Sequence, residues 1–71
     1  MTPDPFPSEP IRAAITFSYG DTKMAHALAD TIIQDLPTMD ERAVMRRCWM
    51  WFPGGDTAAF TARKIMEATR A

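Results

Sequence analysis

The chain has 71 residues, a formal net charge of −1, one cysteine and one histidine. Such a length supports one small domain, which buries only about 60% of its unfolded surface. A single Cys beside a single His excludes a disulfide framework and a four-ligand structural zinc site, and the near-neutral balance argues against generic phosphate-backbone binding, which draws on clustered Lys and Arg.

The first ten residues, MTPDPFPSEP, carry prolines at 3, 5, 7 and 10. Proline fixes φ and removes a backbone donor, so this reads as an extended, flexible tail (residues 1–10) before a single domain (residues 11–71). Phe6 is the tail's one large apolar group, and it suits an arm that docks on a neighbouring surface.

Residues 11–19, IRAAITFSY, fit two periods. As a strand, Ile11, Ala13, Ile15, Phe17 and Tyr19 share one face. As a helix, Ser8 caps the start, Gly20 supplies the stop, and Ile11, Ala14, Ile15, Ser18 and Tyr19 form the stripe, leaving Phe17 outside it.

Residues 21–36 read as an amphipathic helix capped by Asp21. Met24, Ala25, Leu28, Ala29, Ile32 and Leu36 face inward. Pro37 ends it. Thr38-Met39-Asp40-Glu41 has the form of a capping box opening a helix over 39–52. Pro53-Gly54-Gly55 stops that helix, and Asp56 caps a last one over 57–70 with an Ala58–Ala62–Ile65–Met66–Thr69 stripe. The expected fold is an all-α bundle of three to four helices, dimeric because so small a core gains from association. The alternative is a short N-terminal β-strand pairing across a dimer, followed by helices. The expected core is Ala25, Leu28, Ile32, Leu36, Val44, Cys48, Trp51, Phe52, Ile65 and Met66. Cys48 is expected to be a buried, inert thiol.

The run Cys48-Trp49-Met50-Trp51-Phe52 spreads over roughly 400° of a helical wheel. Val44, Met45, Cys48, Trp51 and Phe52 share a core-facing arc. Trp49 falls beside Arg42 and Arg46, and Met50 falls between Arg46 and Arg47. Trp, Arg and Met are the residues that interfaces favour. Phe60 stands opposite its helix's core stripe, beside Lys64 and Glu67.

Catalytic equipment is thin. His26 and Asp30 are spaced for an i,i+4 pair, but no nucleophile is placed to use it. Gly54-Gly55 lacks a phosphate-binding lysine and the fuller glycine pattern. The expectation is a non-enzymatic module without metal or cofactor that inhibits or regulates a larger cytoplasmic protein, in the manner of small phage or mobile-element proteins. Its partner surface would be Arg42, Arg46, Arg47, Trp49, Met50 and Phe60, meeting an acidic and apolar patch. No run reaches the roughly 20 residues of a membrane span, and the start shows no secretory pattern, so no membrane partner is expected.

A small dimeric DNA-binding regulator is the alternative. In a helix-turn-helix form, Arg63, Lys64 and Arg70 on the last helix would meet DNA. In a ribbon-helix-helix form, Arg12, Thr16 and Ser18 would project from the N-terminal strand.

Overall fold

The computed structural model describes residues 8–70; the proposed Phe6 arm lies outside them. Four helices follow one another: α1 (Ser8–Tyr19), α2 (Lys23–Asp35), α3 (Glu41–Trp51) and α4 (Gly55–Arg70), with a 3₁₀ turn over Leu36–Thr38. No strand occurs among the described residues. The helices close a ring in which α1 packs on α2 and α4, while α3 packs on α4 and α2.

The strand reading of 11–19 is overturned, and burial gives the reason. Ile11 and Ile15, four residues apart, are both fully buried, whereas Phe17 is 82% exposed. A strand face would have put all three on one side. Here the helical period wins because both isoleucines reach the common core. The helix also starts at Ser8, so residues 8–10, expected in the tail, belong to the domain. Gly20 closes α1 at φ +92°, and its N–H reaches the Thr16 carbonyl at 2.7 Å, a left-handed cap that glycine adopts without a Cβ clash.

Two caps differ from expectation. Thr22, not Asp21, caps α2, accepting from the Ala25 amide at 3.1 Å. After α2 the chain spends Leu36–Thr38 on a tight turn that buries Leu36. Thr38 is thereby used up: its hydroxyl donates back to the Asp35 carbonyl at 2.9 Å. Asp40 becomes the cap of α3, accepting from the Ala43 amide at 2.8 Å, and Glu41 keeps a second acid in the first turn, where the helix dipole favours it. Asp56, expected as a cap, sits inside the first turn of α4. Gly54, at φ +104°, makes the reversal that starts this helix.

The core consists of Ile11, Ile15, Ala25, Leu28, Ala29, Ile32, Leu36, Val44, Cys48, Ala58, Ala62 and Ile65. Trp51, Phe52 and Met66, expected inside, are only partly buried and pack against its edge, and Met24 is exposed. Phe52 has left the helix for extended backbone (φ −136°, ψ 143°) and stacks on Tyr19, with ring centroids 4.3 Å apart and planes 11° apart. That stack joins the end of α3 to the end of α1.

This burial pattern separates two neighbours in one helix. Ile15→Ala is expected to cost about 2–5 kcal/mol in urea unfolding, and Phe17→Ala no more than about 0.5 kcal/mol. Equal losses would contradict the assigned face of α1.

Candidate interaction surface

On α3, Trp49 is 57% exposed and Met50 is 82% exposed. With Arg46 they line a shallow hollow on the outer face of the helix. The helical spacing explains the grouping, because residues three and four apart are neighbours while the core takes Val44 and Cys48. The inner edge of the Trp49 indole covers the α3–α4 turn: ring atom Cζ2 lies 3.5 Å from where a Cβ on Gly55 would stand. The indole is thus held against backbone on one side and open on the other.

The start of α3 meets the later part of α4. Glu41, Arg42, Met45, Ala59, Phe60, Ala62 and Arg63 line a trough of about 450 Å³ between these helices. Since Trp49 touches the first residue of α4 and Arg42 shares the trough with Arg63, the two helices run antiparallel. Phe60 is 47% exposed, and the Lys64 ammonium sits 5.5 Å from its ring centroid. Lys64 is also 3.6 Å from Glu67.

Of the surface expected from sequence, Arg46, Trp49 and Met50 come together, and Arg42 and Phe60 meet in the adjoining trough. Arg47 turns the other way, to α2, where it donates to Asp35 at 3.1 Å. Among the described residues no acid lies within 4.0 Å of the charged groups of Arg42, Arg46 or Arg63. Sequence reading missed the contributions of Met45 and Ala59 to the trough. It also missed an apolar groove between α1 and α4 lined by Pro10, Ala13, Ala14, Phe17, Phe60 and Lys64. The period-four exposure of Ala13 and Phe17 in a helical α1 was the available signal.

The residues of the DNA-binding alternative divide. Arg12 is committed within the fold: it donates to His26 Nδ1 at 3.1 Å and pairs with Asp30. Arginine only donates, so His26 Nδ1 accepts and the ring proton sits on Nε2, which bonds Asp21. The His26–Asp30 pair that the spacing allowed does not form; the pairs are His26–Asp21 and Arg12–Asp30. Thr16 bonds back to the Ala13 carbonyl at 3.3 Å. With α1 helical, the ribbon form of this alternative is lost. Arg63, Lys64 and Arg70 are exposed on α4.

A small polar centre lies inside the ring. The buried Thr61 hydroxyl is hydrogen-bonded to the Ser18 hydroxyl at 2.6 Å and to the Thr57 carbonyl at 2.8 Å. The Tyr19 hydroxyl is buried near Thr61 and Cys48 with no partner in good hydrogen-bond geometry among the described residues, and its pKa is raised, chiefly by burial and then by the neighbouring Cys48. Burial likewise pushes the Cys48 thiol up to about 11. A neutral, enclosed thiol is a poor nucleophile. No cluster of three or more His, Cys, Asp or Glu side chains suited to a metal occurs among the described residues. No described helix is long and apolar enough to cross a membrane.

Compared with protein-family models, curated proteins and solved structures, the chain matches none.

Two outcomes follow for the polar centre. Tyr19→Phe deletes an unpaired buried hydroxyl and is expected to leave stability unchanged or raise it by about 1 kcal/mol in urea unfolding. A loss above that size would reveal a hydrogen bond. Cys48 should resist a disulfide reagent at pH 8 in the native protein and react once urea unfolds it; fast native reaction would show an accessible, ionised thiol.

Proposed function

We propose that this protein is a non-enzymatic binding module that regulates or inhibits a larger cytoplasmic protein, docking it on the outer face of α3. The observation that carries this reading is the open Trp49–Met50 pair beside Arg46. A large indole left more than half in water costs solvation that a partner can recover. Trp and Arg also dominate the binding energy of known interfaces. Seating the ring against the Gly55 backbone supports a preformed anchor, which loses little freedom on binding. The positive edge formed by Arg42 and Arg46 suits an acidic rim around an apolar socket on the partner.

A homodimer seam on the same face is the self-associating version of this reading. A helix-turn-helix regulator is the second reading, favoured by the exposure of Arg63 and Arg70 on α4, which follows α3 after a short glycine turn.

A tagged pull-down from nuclease-treated lysate, with Trp49→Ala alongside, tests these together. The expected result is one stoichiometric protein retained by wild type, with the variant folded and binding weaker by about 2 kcal/mol or more, roughly 30-fold. Retention of the chain's own copies alone would assign the face to a dimer. An empty lane, with salt-sensitive DNA recovered when nuclease is omitted, would replace this reading with the regulator.

A further inference from the structure

The trough between α3 and α4 differs from the other surface grooves in its charge. Its floor is apolar, made by Met45, Ala59 and Phe60, and its walls carry one arginine from each helix, Arg42 and Arg63. Neither has an acid partner among the described residues. The one acid on the rim, Glu41, is in the first turn of α3, where the helix dipole stabilises it. By contrast, the α1–α4 groove carries only Lys64, already beside Glu67, so nothing there selects an occupant by charge.

We infer that the trough holds a short acidic amphipathic peptide segment of the partner, with an apolar side chain on the Met45–Ala59–Phe60 floor and a carboxylate between Arg42 and Arg63. This rests on the reading of the protein as a binding module and names the partner's chemistry. Guanidinium groups take carboxylates through paired N–H donors, and two from opposite walls select an anion that arrives with an apolar neighbour. A volume of about 450 Å³ falls within the roughly 300–1,000 Å³ of recognised binding clefts. Nucleic acid fits this floor less well, since its backbone offers phosphate and sugar but no aliphatic side chain. Arg42 and Trp49 are seven residues apart, about 10 Å along the helix, so one short segment spans the trough and the Trp49 hollow together.

The test is selection of a random peptide library on the intact protein. The selected peptides are then bound to wild type, Arg42→Glu/Arg63→Glu, the milder Arg63→Gln, Trp49→Ala, and Arg70→Glu as a remote charge control. Circular dichroism melts check each fold. The expected result is enrichment of peptides joining Asp or Glu to Leu, Ile or Phe. Binding should fall about tenfold or more in the double variant, fall less in Arg63→Gln, hold in Arg70→Glu, and weaken with salt. Enriched peptides that are neutral or basic, or acidic peptides held equally by the double variant and Arg63→Gln, would overturn the inference. Peptides lost by Trp49→Ala but kept by both trough variants would overturn it while leaving the binding-module reading in place. No enrichment on wild type would count against both.

Discussion

Four of the twelve core side chains of this bundle are alanines. Ala25 and Ala29 on α2, and Ala58 and Ala62 on α4, are all fully buried, each pair one helical turn apart. Interaxial distance depends on the side chains at the contact, and alanine lets helices approach closely. Between such helices there is room for Ile11, Ile15, Leu28, Ile32, Val44 and Ile65, but no aromatic ring among the described residues is fully buried. Every described ring lies at the edge or outside.

That sorting produces the surface. Tyr19 and Phe52 stack against each other at the margin, and Trp51 packs beside the core. Phe17, Trp49 and Phe60 remain out, with Met50 among them. The charged residues are sorted in parallel. Arg12 and Arg47 tie α1 and α3 to α2 through Asp30 and Asp35, while Arg42, Arg46 and Arg63 stay beside the outward apolar groups. Exposed ion pairs of this kind contribute little stability, about 0–1 kcal/mol each, so the fold rests on its aliphatic core. The function reading rests on what that core could not admit.

Much of this was legible in the sequence. Pro37, Pro53 and Gly54 punctuate the chain where proline and glycine must, and the apolar stripes of α2 and α4 have a clean helical period. The wheel for α3 separated Cys48 from Trp49 and Met50 correctly. It overestimated Trp51 and Phe52: Phe52 has left the helix for extended backbone, so the wheel does not apply to it, and how deep Trp51 sits depends on the facing helices, which the wheel does not contain. Residues 11–19 satisfied both periods, and only the burial of Ile11 and Ile15 together decides between them. The partners of Arg12, His26 and Arg47 were out of reach for a different reason. Arg12 and Arg47 find theirs on another helix, 12 to 18 residues away, and no local pattern announces them. His26 finds one in the turn just before its own helix, at a spacing that an i,i+4 rule passes over.

The outer face of α3 is expected to stay uncovered in the folded protein in solution. Replacing Trp51 by Phe leaves Trp49 as the only indole, so its fluorescence quenching by acrylamide reports that face directly. The expected emission is that of a water-exposed indole, quenched freely and unchanged as protein concentration rises. Shielded, blue-shifted emission would contradict it: at all concentrations if another part of the chain covers Trp49, and only at high concentration if a second copy does.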